Sequence, residues 1–208
     1  MSRLACMTLV AVAACGTRGN GHVVSERRQI TAVTEIDAGG AYQLDVVIDP
    51  TSSLEVSGDA NLLPMVKTTV EDGRLRIETE GFVRTSRPLR VRIATPDIRV
   101  VRCSGACKLS VGVVQNDALR LEASGAAEIV ARGRTRRLDL ELSGTGKVEA
   151  AELAAEVAGL TISGAGSASV YATGELAVEI SGAGVVSYRG DPKITRQDIT
   201  GVGTLQKI

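Results

Sequence analysis

Residues 119–146 read LRLEASGAAEIVARGRTRRLDLELSGTG, and two patterns in them decide the fold. The first is alternation. Leu119, Leu121 and Ala123 interleave with Arg120 and Glu122, and Leu138, Leu140 and Leu142 interleave with Asp139 and Glu141. A period of two marks half-buried strands, because successive side chains of a strand point to opposite faces. The second is recurrence. Ser124-Gly125-Ala126 returns as Ser143-Gly144-Thr145-Gly146.

Working outward, the same corner stands at Ser104-Gly105-Ala106, Ser163-Gly164-Ala165-Gly166 and Ser181-Gly182-Ala183-Gly184. A degenerate copy closes the series at Thr200-Gly201-Val202-Gly203. The spacings are 20, 19, 20, 18 and 19 residues. Each unit reads as corner, strand, polar turn, strand. Glycines at two corner positions (Gly105, Gly125, Gly144, Gly146, Gly164, Gly166, Gly182, Gly184, Gly201 and Gly203) supply positive φ or close backbone approach. A near-constant corner favours a right-handed parallel β-helix, a solenoid with ~20-residue rungs about 4.8 Å apart. An antiparallel meander makes no demand that corners repeat. The hand follows from the general bias of parallel crossovers.

Residues 22–101 carry the same texture with a weaker repeat, and irregular rungs are expected there. Ala41 to Ile48 and Leu54 to Gly58 read as strands. Asp59 to Pro64 reads as a helical turn or loop, and Asp72-Gly73 reads as a hairpin turn. The segment AELAAEVA (151–158) has helix-forming residues but falls where turn and strand belong, so α-helix is not expected.

Composition agrees and excludes much. Hydrophobic residues are 44% and aromatics only 2%, so the core is aliphatic. Glycine is 23 of 208 residues, above the roughly 7% background, as many tight turns require. Lysine plus arginine (24) equals aspartate plus glutamate (24), which leaves no basic domain for nucleic acid. The shortage of aromatics also argues against single-strand binding by base stacking. One histidine makes a His-based triad or a His-rich metal site unsupported, and no cofactor is expected.

The N-terminus reads as an address. Residues 1–15 are MSRLACMTLVAVAAC: a basic Arg3, then an apolar run from Leu4 to Ala14, too short for the roughly 20 residues of a membrane-spanning helix. Val12-Ala13-Ala14-Cys15 resembles a bacterial lipobox, which makes Cys15 the lipidation site and 1–15 a lipoprotein signal peptide. No aspartate follows Cys15, so in a Gram-negative host outer-membrane sorting is implied. Residues 16–21 read as a tether and 22–208 as one domain, its regular repeats spanning 102–208.

Taken together, these stretches resemble the putative auto-transporter adhesin family, head GIN domain. The residues that carry the likeness are the Ser-Gly-Ala-Gly corners, Gly19-Asn20-Gly21-x-Val23, Arg28-x-Ile30 and Gly58-Asp59-Ala60-Asn61-Leu62. Asp72-Gly73-x-Leu75-x-Ile77 and Tyr188-x-Gly190-x-Pro192 complete it. An aromatic usual after the first strand is replaced by Val33 or Ile36. The resemblance implies a β-helical, all-β, secreted or lipid-anchored envelope protein and carries no catalytic residues.

Candidate chemistry is sparse. Cys103 and Cys107 flank the first corner. Four residues of extended chain span about 13 Å, against the ~5.5 Å a disulfide needs, so a tight corner predicts a disulfide and an open one two free thiols. Two cysteines without histidine make a poor zinc site. Glu122, Glu141 and Glu179 share one register, two residues before the corner serine. Such a row is the starting point for a polysaccharide-active β-helix enzyme, but an alternating charged face is also what solubility alone produces. Arg132 to Arg137 forms a basic turn suited to anionic sugars or head groups, or simply to solvent. Arg189-Gly190-Asp191 falls in a turn. The expected role is binding, adhesion or structure without catalysis. The expected partners are the membrane through the lipid anchor, a polysaccharide or envelope protein, and a second copy through exposed end rungs.

Overall fold

The computed structural model describes residues 16–208, and among them it is all-β with no α-helix. The signal peptide and Cys15 lie outside the described residues. The strands in chain order are β1 (Thr17–Arg18), β2 (Val23–Arg28), β3 (Glu35–Ile48), β4 (Ser53–Asp59), β5 (Val66–Glu71), β6 (Arg74–Thr79), β7 (Val83–Arg84) and β8 (Leu89–Thr95). After them come β9 (Val100–Arg189), β10 (Lys193–Gly201) and β11 (Thr204–Lys207). A 3-10 turn, Leu63–Met65, falls in the stretch read as a helical turn or loop. The AELAAEVA segment is extended, within β9.

β9 is one run of 90 extended residues. Stretched out it would span about 300 Å. It folds back instead, so that residues about twenty apart touch. The ion pairs Arg102–Glu122 and Arg132–Glu152 join such positions at 3.2 and 2.6 Å. The corners carry the reversal. A Cβ on Gly125 would stand 2.5 Å from the carbonyl oxygen of Gly105, and one on Gly201 equally close to that of Gly182. Gly105, Gly125, Gly144, Gly164, Gly182 and Gly201 all have φ between +102° and +124°. The first corner glycine therefore meets both demands, dihedral and space. The second meets only the spatial one: Gly146, Gly166, Gly184 and Gly203 lack a positive φ, and a Cβ on Gly166 would lie 2.9 Å from the oxygen of Gly146.

The ladder has a member that the sequence reading passed over. β3 pairs in parallel with β9 from Glu35↔Val100 to Val46↔Val111, which sets Gly40 opposite Gly105. Gly40 also has positive φ, +138°. Ala38-Gly39-Gly40-Ala41 is thus a seventh corner, separated from the rest by a long insertion.

That insertion corrects the expectation of irregular rungs. Residues 49–99 instead form largely antiparallel structure. β4 pairs antiparallel with β2 and with β8, and β5 with β6 around Asp72-Gly73 (φ +50° and +74°). β6 and β8 then pair in parallel with the two halves of β3. The large sheet is therefore mixed, ordered β10-β9-β3-β8-β4-β2, with β11 also parallel to β9. The core is one continuous aliphatic cluster, from Val33 to Val186. Residues 16–21, expected as a tether, are paired instead: β1 lies parallel to β7, and the side chain of Asn61 bonds both Arg18 and Asn20.

Candidate functional site

The repeat face carries the carboxylate row. Alternation brings Glu122, Glu141 and Glu179 outward, as their register predicts, but an arginine meets each one. Arg120 touches Glu122 and reaches Glu141 at 3.3 Å, Arg102 holds Glu122, and Arg196 holds Glu179 at 3.3 Å. Arg102 also reaches Glu35 at 3.1 Å and Arg74 reaches it at 2.8 Å. The hydrogen bonds from Arg102 and then Arg74 hold the Glu35 carboxyl below its ordinary value. A depression of about 260 Å³ lies between Arg120, Arg137, Asp139, Glu141, Glu179 and Arg196. A glycosidic general acid needs a carboxyl that keeps its proton near neutral pH. Here Glu122, Glu141 and Glu179 are each engaged by an arginine, so this face reads as a ladder of ion pairs.

The first corner is different. Cys103 and Cys107 are joined there as a disulfide, with Cα atoms 6.3 Å apart. The positive φ of Gly105 shortens a span that an extended chain would make twice as long.

Beside this corner runs a groove of about 570 Å³. Its floor is made of small residues from successive corners: Ala106, Ala126, Ala127 and Gly146. One wall is the segment that leads from β7 into β8, with Pro88 at its end. That wall is pinned: the Thr85 hydroxyl donates to the buried carboxylate of Asp59 at 2.8 Å and accepts from the Arg87 amide at 3.1 Å. The rim holds an ion pair, Lys108–Glu128 at 2.6 Å, in which the Lys108 hydrogen bond lowers the Glu128 carboxyl below its ordinary value. The sequence signal for the floor was present, since small corner residues recur with the period. The wall had none, because it pairs across a long stretch of chain. Tyr42 also borders the groove, but its ring is buried and its hydroxyl is bonded to Thr79. It offers no aromatic platform.

The remaining candidates are absorbed by structure. In the basic turn, Arg132, Arg136 and Arg137 pair with Glu152, Asp117 and Asp139. In the Arg189-Gly190-Asp191 turn, Arg189 lies over the Tyr171 ring at 5.5 Å and Asp191 pairs with Lys207. His22 is exposed. Among the described residues no cluster of three His, Cys, Asp or Glu side chains is placed to hold a metal, and no helix is long and apolar enough to cross a membrane.

The geometry defines a mixed, glycine-cornered all-β body with a groove along its corners. The chain matches the family described as "Putative auto-transporter adhesin, head GIN domain" over residues 32–192, and it belongs to that family. Similar solved structures agree in fold. A putative adhesin from Bacteroides fragilis has a TM-score of 0.71 at 20% identity, covering 93% of this chain and 100% of that one. A putative adhesin from Parabacteroides merdae has 0.61 at 20%, covering 93% and 99%. A protein described as a putative lipid binding protein, from Parabacteroides distasonis, has 0.56 at 22%, covering 93% and 100%. No curated protein matches the chain.

Proposed function

We propose that this chain is a lipid-anchored cell-envelope protein that works by binding and not by catalysis. Residues 1–15 are its lipoprotein signal peptide, Cys15 carries the acyl chains, and a single domain begins at Gly16. In a Gram-negative host it is held at the outer membrane. Its body is a right-handed parallel β-solenoid whose rungs run from β3 to β11, closed at one end by the antiparallel strands. The ladder from Gly40 to Gly201 supports that reading of the body, since only stacked coils bring equivalent carbonyls against equivalent glycines.

The single observation that carries the binding role is the groove over the disulfide corner. Counting Ala41 of the Gly40 corner with Ala106, Ala126 and Gly146, lining residues from four successive corners line up along the stack, so at about 4.8 Å per rung the groove runs for roughly 15 Å. That shape suits an extended ligand: a segment of an envelope protein or a polysaccharide strand. A floor of small apolar residues with a charged rim suits a peptide segment.

The test reads retention and chain cleavage together. The acylated protein, in detergent, is passed over cell-wall and extracellular polysaccharides and cross-linked to partners in intact cells. An Ala126→Trp variant fills the groove floor. Loss of a partner cross-link in this variant, with an unchanged melting temperature, supports the groove. Retention on a polysaccharide that Ala126→Trp abolishes would name the other ligand. Cleavage of any polysaccharide would overturn the reading and send attention to Glu141.

A further inference from the structure

The β1–β7 ribbon stands apart from the large sheet, and three of its features need a partner. Phe82 is the only phenylalanine of the chain, and it is 77% exposed beside the ribbon. The amide of Thr17 donates to the Phe82 carbonyl at 2.7 Å, and a Cβ on Gly16 would meet the same carbonyl at 2.9 Å. So the chain emerges from residue 15 directly against this side chain. Arg18 and Arg84 are register partners on parallel strands, both exposed. Among the described residues neither forms an ion pair, although arginines elsewhere on the surface commonly do. Two like charges side by side repel, and the repulsion persists unless an anion lies between them.

We infer that the β1–β7 ribbon is the membrane-facing surface of the protein, with Phe82 seated at the bilayer interface and Arg18 and Arg84 on anionic phospholipid head groups. The inference rests on acylation of Cys15, proposed above. One residue, Gly16, separates that cysteine from the first paired strand, so an acylated chain has no spacer and the ribbon must lie within a few ångströms of the head groups. An exposed aromatic and a pair of bare arginines are what that depth accommodates: rings partition to the interface and basic side chains are drawn to anionic lipid.

The sequence contains no tryptophan, so Phe82→Trp places a single reporter at the point in question. The full chain carrying this substitution is expressed, purified and reconstituted on vesicles of phosphatidylglycerol or of phosphatidylcholine. Mass spectrometry of the same sample reads the acyl chains, so a missing anchor and a failed surface are told apart. On phosphatidylglycerol the indole emission should shift to the blue and be quenched by lipids brominated high on the acyl chain. Arg18→Ala and Arg84→Ala should each lower the docked fraction about fivefold, the factor expected for one basic residue at an anionic surface. Quenching on vesicles supports the surface whether or not acyl chains are found. Water-like, unquenched emission from vesicle-bound protein overturns it, and with acyl chains present it does so while leaving the anchor intact.

Discussion

Residues 100–207 and the insertion at residues 49–99 bury the same kind of aliphatic core by different means. In the first region the chain advances by one corner and stacks like on like: Leu121, Leu140, Leu160 and Val178 are all buried, each three residues ahead of a corner serine. In the second the chain reverses at tight turns and pairs antiparallel, so each strand meets a different neighbour. Repetition makes the first region regular but leaves it no freedom at its corners, because each backbone is the steric wall of the next. The second region tolerates more, since its turns face open space.

The largest expected effect tests that contrast at its sharpest point. In Gly125→Ala the methyl group falls 2.5 Å from the Gly105 carbonyl at a φ of +102°. Dihedral strain and backbone overlap together should cost about 3 kcal/mol or more. Urea unfolding with an unchanged slope would measure it. A cost near zero would break the claim that the corners are walls.

Next comes the disulfide. Its loop is short, so opening it by reduction or by Cys103→Ala with Cys107→Ala should cost about 2 kcal/mol. Thermal melts with and without reductant read this directly, and an unchanged melting temperature would show that Gly105 alone shapes the corner.

A smaller effect is expected for Gly73→Ala in the β5–β6 turn. Nothing lies nearer its added methyl than the Thr34 hydroxyl at 3.8 Å, so only the +74° dihedral resists, at about 1 kcal/mol. A cost equal to that of Gly125→Ala would erase the difference between the two regions.

The smallest effect sits at their seam. Arg102 of β9 and Arg74 of β6 both hold Glu35 of β3, whose carboxyl lies below its ordinary value of about 4.5. A lowered carboxyl stabilises the fold above the unfolded value and loses that contribution as pH falls through the folded one. Stability should therefore decline as pH drops below about 4.5, and Glu35→Gln should make the decline shallower by less than about 1 kcal/mol, as partly exposed pairs permit. Equal pH profiles for the two proteins would remove Glu35 from the seam.

Much of this was legible without coordinates. The alternation around Leu138, Leu140 and Leu142, the Asp72-Gly73 hairpin and the corner glycines are local signals, each readable within ten residues. Gly40 was readable in principle, since Gly39-Gly40-Ala41 resembles the other corners, but its nearest copy lies 65 residues on and no period links them. The outward register of the carboxylates was readable from the alternation, while the arginines that occupy the row come partly from positions about twenty residues away. The groove was half visible: its small-residue floor follows the repeat, and its wall at Pro88 does not.

By itself the sequence determined the element type, the spacing and the need for glycine at every corner, because period and dihedral demand are properties of short stretches. Tertiary structure alone decided which strand meets which across long intervals. It set β1 beside β7, β3 beside β9, and the β7–β8 segment over the corners. Those pairings depend on backbone hydrogen bonds that any residue can make, so no side-chain pattern announces them.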